Sequence, residues 1–476
     1  MIFLFVFVIL FFISPDSYTH EIYGRTDSAI FFMSGKALMN GMTPYVDYSD
    51  SKGLLLWVIY GIGYLLSPTN YHGVFWISVI LWFSIFYFCY KILRLYFNDK
   101  EAIFGTFLMS IPFFIHLFYY ETRAECFCTL PVVQGIYATQ LFLRSNNETK
   151  LLKNVYALGV GTMCCFLIKW SISVMMLSFI FSILLFCSER KVWIKIFITF
   201  LCGLITSSIP FLVYFLQTNN LNNFLIEYIV GTGKTVSSDL NMFISDYISR
   251  CVELFTTRRF VYVLYIVAAA YICLSLKKKE YLTNVLCAMA FVFMSIVHDL
   301  GYYLYIASSF GIFFVIIVVK FAERKCIKTE MNFVLIFLCF IVCTLGHFKR
   351  LQLMGYKNYR YIYNDKKVKE SYENADIEML KVKSPKVLCL NCGEKGIGMK
   401  ANTLPACKYW TYQIGMTKEM QDNAIKCLKE RKADFVICMA ESERDNELVK
   451  NNGYQFVTRL IDCTNVRNIY KRNNIE

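Results

Sequence analysis

Residues 54–66 read Leu54-Leu-Leu-Trp-Val-Ile-Tyr-Gly-Ile-Gly-Tyr-Leu-Leu66, an apolar run set between Asp47-Tyr-Ser-Asp-Ser-Lys-Gly53 and Ser67-Pro-Thr-Asn70. Whether this run crosses a bilayer or lies on its surface decides the side on which every later loop falls. A helix of this length covers about 20 Å, against a hydrocarbon core of about 30 Å. The run is therefore predicted to be a helix lying at the interface.

The surrounding chain makes that question the right one. Of 476 residues, 57% are hydrophobic and 18% are charged, an apolar share above the roughly 45–50% of soluble domains. Apolar runs of near-spanning length are read at about 1–14, 74–97, 102–119, 125–143, 154–169, 171–187, 192–216, 260–276, 281–297, 301–319 and 333–348. They do not alternate as barrel strands would. The expectation is an α-helical polytopic membrane protein of about 11 transmembrane helices and two interfacial helices. The first run lacks a basic n-region and an Ala-x-Ala-like cleavage site, so it reads as an anchor rather than a removed leader.

Charge placement tests the assignment of 54–66. With that run interfacial, the connections 91–101, 144–153, 188–195, 277–279 and 320–328 fall on one side and carry 16 Lys and Arg. The opposite connections are more than twice as long in total and carry 9. The dense side is cytoplasmic by the positive-inside rule. The first loop (15–73), the 217–259 loop and the C-terminal region are then extracytoplasmic, in a multi-pass cell membrane of bacterial plasma-membrane type. The net charge of +14 encodes topology and implies no nucleic-acid partner. At least half of the 19 cysteines sit in apolar runs, where Cys acts as a small hydrophobe rather than part of a disulfide framework.

Residues 350–476 differ in character, with dense mixed charge and short β-like runs at Lys386–Cys392, Asp434–Met439 and Asn468–Tyr470. Helical periodicity over 417–432 places Met420, Ala424, Ile425 and Leu428 on one face. The predicted division is a transmembrane domain, 1–349, followed by a small α/β domain, 350–476. Cys389-Leu-Asn-Cys392 lacks the βαβ context of a redox motif and a second pair for zinc. Gly231-Thr-Gly-Lys-Thr235 lacks the earlier glycine of a phosphate-binding loop and reads as plain loop.

Candidate chemistry concentrates at the outer boundary. Thr26 is a plausible N-cap for a helix over Asp27–Met39 ended by Gly41, with Ile30, Phe31, Met33, Ala37 and Leu38 forming a membrane-surface face. Asp27 in its first turn is either a site carboxylate or a charge complementing the helix dipole. Asp47, Asp50 and Lys52 follow the Thr43-Pro-Tyr45 turn; they are site residues or a solvated loop with a snorkelling lysine. In Tyr119-Tyr-Glu-Thr-Arg-Ala-Glu125, Glu121 and Glu125 at i and i+4 would share a helix face. They would hold a divalent metal ion, supply a base and its orienting partner, or simply pair with Arg123. Lys169-Trp170 interrupts an apolar stretch and is a phosphate contact or an interfacial anchor. His298-Asp299 with Tyr302 and Tyr303 would orient a sugar, ligate metal, or belong to an aromatic belt.

The arrangement is more specific than its parts. A first span, an outer loop with Asp in a short helix, Gly41-Met-Thr-Pro-Tyr45, then Asp50-Ser-Lys-Gly53 opening a second short helix, resembles the GT-C superfamily of polyprenyl-phosphate-sugar-dependent glycosyltransferases. Protein O-mannosyltransferases and the aminoarabinose transferases of lipid A are nearest in pattern, over about residues 1–350. The resemblance implies that Asp27 is the acidic catalytic residue and that Lys52 and Lys169 contact the donor phosphate. It leaves the second carboxylate open between Glu121 and Glu125. Lys-Pro-Pro is common in the family where this chain has Lys52-Gly-Leu.

That chemistry suits the residue types. An acceptor hydroxyl must lose a proton as it attacks the anomeric carbon, which calls for a carboxylate. The leaving lipid phosphate calls for Lys or Arg, here Lys52, Arg123 and Lys169. The expected activity is hexosyl or pentosyl transfer, with inversion, from a polyprenyl-phosphate-linked donor to a glycan, lipid or protein hydroxyl, in cell-envelope assembly. Asp27, Glu121 and Glu125 are the catalytic candidates, with Asp50, His298, Tyr302 and Tyr303 orienting substrate; a divalent metal is an open cofactor. The rival class is a flippase or exporter, which would show repeated halves and matched Gly/Pro-rich broken helices. A polysaccharide polymerase, using Lys234, Arg250, Arg258 and Arg259 of the 217–259 loop, is a further alternative.

Overall fold

The computed structural model describes residues 1–19, 27–119, 122–145, 147–231, 309, 312, 315–316, 366–393, 396–412, 416–461 and 465–473. The expected spans beyond residue 231, together with Thr26, Glu121, His298, Tyr302 and Tyr303, lie outside the described residues.

Helix α1 (Ile2–Ile13) opens the chain, and two short helices follow, α2 (Asp27–Met39) and α3 (Leu54–Leu66). Long helices come next: α4 (His72–Leu93), α5 (Asp99–Tyr119), α6 (Ala124–Arg144), α7 (Glu148–Phe186) and α8 (Arg190–Gln217). Among the described residues, α4, α6, α7 and α8 are long and apolar enough to cross a membrane. Helix α3 has the length and limits that the apolar run predicts.

Helix α7 departs from helical backbone angles at Lys169, where φ is −151° and ψ is 95°. Packing registers show what happens there. Along α6 and the first half of α7, Glu125 meets Lys169 and the Pro131 ring lies on Gly161, so the two helices run in opposite directions. Past Lys169 the direction changes, because Phe179 packs on Gly135. From Glu125 to Gly135, and from Lys169 to Phe179, the chain advances ten residues, about 15 Å down each helix. Helix α8 then rises alongside the first half of α7, with Lys195 on Glu148 at 2.7 Å and Thr206 on Tyr156 at 2.8 Å. The 39-residue helix is thus two apolar arms that fold back at Lys169, matching the two spans expected on either side of that lysine.

Helices α2 and α3 lie across the end of the bundle where α6 begins and α7 turns. Tyr60 of α3 hydrogen-bonds the Thr122 carbonyl at 2.5 Å, and Gly53 before α3 donates its N–H to the Ile168 carbonyl at 3.1 Å. The α2–α3 pair is close because Gly35 faces the α3 backbone; a Cβ there would sit 2.4 Å from the Gly61 nitrogen. Gly41, with φ of +82°, ends α2 by donating to the Leu38 carbonyl. The expectation of one lipid-facing stripe on α2 is overturned. Residues 28–37 are buried on every side, including Ser28, Ser34 and Lys36. The reason is that α3 covers one flank, while residues of the C-terminal region cover the other, as where Thr403 meets Met33.

That C-terminal region holds α10 (Lys366–Leu380), β1 (Lys386–Cys389), β2 (Leu404–Pro405), α11 (Lys418–Lys429), β3 (Phe435–Met439), α12 (Glu443–Asn451), β4 (Tyr454–Ile461) and β5 (Val466–Arg472). The sheet order is β2-β1-β3-β5-β4, with β1 parallel to β2 and β3, and β5 antiparallel to β3 and β4. Helix α11 starts at the Thr417 cap, whose hydroxyl accepts from the Met420 N–H, and buries Ala424 and Leu428 as its periodicity requires. Strand β1 stops at Cys389, and Cys392 donates to the Ile437 carbonyl, a packing role for both cysteines.

Candidate active site

The end of the bundle beneath α2 and α3 gathers most of the sequence-selected charges. Helix α6 begins at Ala124, with Arg123 as its N-cap. Glu125 lies in the first turn of this helix, while Glu121, its expected partner on one helix face, falls outside the described residues. Glu125 is buried at the start of α6 and its Oε1 lies 2.5 Å from Lys169 Nζ. That ion pair joins the α6 start to the α7 break. Asp27, in the first turn of α2, faces Arg123 at 3.6 Å. Asp27 is the more open carboxylate, its side chain 37% exposed against 4% for Glu125.

Lys52 and Asp50 complete the group. Lys52 lies over the Phe31 ring at 5.8 Å, hydrogen-bonds the Ser51 hydroxyl at 3.0 Å, and is close enough to act electrostatically on Glu125. Its carbonyl accepts from Tyr45 Oη at 3.0 Å. Asp50 is buried and accepts from the Ser51 N–H at 2.6 Å. Burial pushes the Asp50 carboxyl above its ordinary range; Lys52 and the Ser51 N–H oppose this, and the charge of Asp27 adds to it. The solvated-loop alternative thus holds for exposed Asp47, which caps the turn by accepting from the Thr43 N–H at 2.7 Å, and fails for Asp50.

The loop that presents Lys52 is stiff. Tyr45 and Tyr48 are buried with their rings 4.8 and 5.1 Å from Trp57, and Tyr45 adopts φ of +63°. A non-glycine residue in that region needs surroundings that hold it there. Gly53 then approaches the α7 turn so closely that a Cβ would lie 2.0 Å from the Leu167 carbonyl oxygen. This explains a glycine directly after Lys52.

Three contributors were missed by sequence reasoning. Asp16, just after α1, is buried and accepts a hydrogen bond from the Thr122 hydroxyl, tying the first helix to the approach to α6. Glu227 and Tyr228 lie in a π-helical turn, Leu225–Val230, which follows the short α9 (Leu221–Phe224). Glu227 and Tyr228 are polar groups in an apolar stretch, which is a signal, but the partners of all three residues lie far away in sequence. Among the described residues, no group of three or more His, Cys, Asp or Glu is placed to hold a metal ion.

The long apolar helices with two short helices laid across one end share their fold with solved structures of membrane enzymes. A family model for dolichyl-phosphate-mannose-protein mannosyltransferases matches residues 52–216, beginning at Lys52 and ending with α8. Among solved structures, ArnT from Cupriavidus metallidurans bound to undecaprenyl phosphate is similar over 98% of this chain and 97% of its own, with TM-score 0.62 at 12% identity. The archaeal oligosaccharyltransferase AglB from Archaeoglobus fulgidus, in complex with an inhibitory peptide and a dolichol-phosphate, is similar with TM-score 0.52 at 11% identity. The likeness covers 100% of this chain and 74% of AglB. No curated protein matches this chain by sequence.

Proposed function

We propose that this chain is an integral-membrane glycosyltransferase that moves a hexosyl or pentosyl unit from a polyprenyl-phosphate donor to an acceptor hydroxyl, with inversion. The observation that carries the proposal is the convergence of Lys52, Arg123 and Lys169 with Asp27, Asp50 and Glu125 at one end of the bundle. A donor lipid reaches a site at that end from the bilayer, and the cations there meet its phosphate.

In this reading Asp27 takes the proton from the acceptor hydroxyl, since it is the open carboxylate. Glu125, already engaged by Lys169, holds that ammonium rather than acting as base. Lys169 and Lys52 stabilise the charge that develops on the departing phosphate, a role worth several kcal/mol when donors are fixed in place. Asp50, buried beside Lys52, orients the substrate. The site lies on the extracytoplasmic face, with acceptors drawn from cell-envelope glycans, glycolipids or proteins.

The test is transfer from a labelled polyprenyl-phosphate sugar by the purified full-length protein, with Asp27→Asn and Lys52→Ala as variants. Full turnover by both refutes the assignment of the site. A product that retains the donor's anomeric configuration refutes single displacement. Orientation is tested separately by Asp47→Cys, an exposed position: labelling by an impermeant thiol reagent from outside intact cells is expected, and protection overturns it.

A further inference from the structure

The reversal of α7 at Lys169 is closed by a side chain from outside the helix. In an unbroken helix the Trp170 N–H would donate to the Phe166 carbonyl. Here the Tyr228 hydroxyl stands between them, accepting from the Trp170 N–H at 2.8 Å and donating to the Phe166 carbonyl at 2.7 Å. A hydroxyl offers one donor and can accept as well, so one group satisfies both ends of the missing bond. Insertion of a side chain into the helical ladder is a recognised cause of a break. Lys169 is the residue released by that break, and its backbone conformation is extended.

Tyr228 is fully buried, and its neighbour in sequence faces the other way. Glu227 pairs with Lys408 Nζ at 2.7 Å, accepts from Tyr409 Oη at 2.8 Å and from the Ser49 hydroxyl at 3.3 Å. Lys408 also accepts from the Ser49 N–H through its carbonyl at 2.8 Å, and the segment is pinned to β1 where Trp410 accepts from the Cys389 N–H at 2.7 Å. One π-helical turn thus touches the α7 break on one side, and the segment that follows β2 and the loop leading to Asp50 on the other. π-Helical turns occur often at functional positions.

We infer that the Leu225–Val230 turn is the positioning element for Lys169: Tyr228 holds the break open so that the ammonium projects onto Glu125, and Glu227 anchors the turn to the C-terminal region. This rests on the reading of Lys169 as a donor-phosphate contact. Tyr228 touches no reacting atom and acts through the lysine. The C-terminal region gains a role by this route, since Lys408 and Tyr409, in the turn that follows β2, fix the π-helical turn.

The experiment is a double-mutant cycle on binding of a polyprenyl phosphate to the purified full-length protein, using wild type, Tyr228→Phe, Lys169→Ala and the double variant. Tyr228→Phe removes one oxygen and retains the buried ring. It is expected to weaken binding about tenfold, equal to about 1.4 kcal/mol, and to leave the affinity of the Lys169→Ala background unchanged. Glu227→Gln is expected to act in the same direction, more weakly, and also only when Lys169 is present. Additive losses, or wild-type affinity in Tyr228→Phe, overturn the inference while leaving the transferase reading intact. No binding by the wild type refutes the donor reading itself, and the inference with it. A purely structural role for Tyr228 would weaken binding equally with and without Lys169.

Discussion

Lys169→Met isolates what the Glu125–Lys169 pair does for the fold from what it does for chemistry. Methionine keeps the length of the lysine stem and removes the charge, leaving Glu125 as a buried carboxylate 4% exposed. Breaking a buried pair by removing one partner costs about 3–5 kcal/mol, because the surviving charge is left uncompensated. Lys169 is itself 19% exposed, which allows some water to reach the carboxylate and places the expected loss near the lower end, about 3 kcal/mol. The double variant Glu125→Met with Lys169→Met removes both charges, and apolar groups of similar volume in place of a buried pair are neutral or stabilising. It is expected to recover most of the stability and none of the transfer. Thermal unfolding in detergent with a thiol-reactive dye reads the first quantity directly, since buried Cys126, Cys128 and Cys165 lie in the two helices the pair joins. Sugar transfer from a polyprenyl-phosphate donor reads the second. A Lys169→Met protein as stable as wild type refutes the buried-pair argument. Transfer regained in the double variant refutes the use of the lysine's charge.

Other outcomes follow from the same geometry. Gly53→Ala places a methyl 2.0 Å from the Leu167 carbonyl oxygen; the overpacking costs about 1–3 kcal/mol, and loss of the Gly53–Ile168 hydrogen bond adds about 1 kcal/mol. Its unfolding temperature should fall together with donor affinity, because Lys52 moves with its neighbour. Asp27→Asn should lower transfer by about 10²–10⁴-fold, the range for a lost general base, while a polyprenyl phosphate still binds with near wild-type affinity. Asp376, on α10 between Lys36 and Lys400, is raised by burial from 3.8 to about 6. A carboxyl raised in the folded state binds its proton more tightly there than when unfolded, so stability falls as pH rises from about 4 to about 6 and is highest below that window. Unfolding followed against pH should show a drop of up to about 3 kcal/mol, absent in Asp376→Asn.

Much of the site was legible because helix length and charge are local properties. The thirteen residues of α3 are too few to span a bilayer, and that length alone laid the first loop across the bundle end. Lys169 stood out as a charge in an apolar run, and the structure makes it the point where the chain reverses. Asp27, Lys52 and Lys169 were singled out by residue type, and in the structure they lie at one end of the bundle. The burial of α2 was not legible. Its apolar residues fit a lipid-facing stripe, but α3 on one flank and C-terminal residues from hundreds of positions away on the other bury it, Lys36 included. The start of α6 was legible to within one residue, 125 expected and Ala124 observed, whereas the cap at Arg123 was not.

The sequence by itself determined a helical membrane chain, the two arms on either side of Lys169, and the residue types able to meet a phosphate. These depend on hydrophobic length and on which charges interrupt it, and both can be counted along the chain. Tertiary structure decided the surroundings of the carboxylates: Asp27 the more exposed, Asp50 buried beside Lys52, Glu125 paired with Lys169. It also brought Tyr228 into the gap of a helix sixty residues earlier. A hydrogen bond between groups so far apart in the chain leaves no local pattern, because only the packed fold brings donor and acceptor within reach.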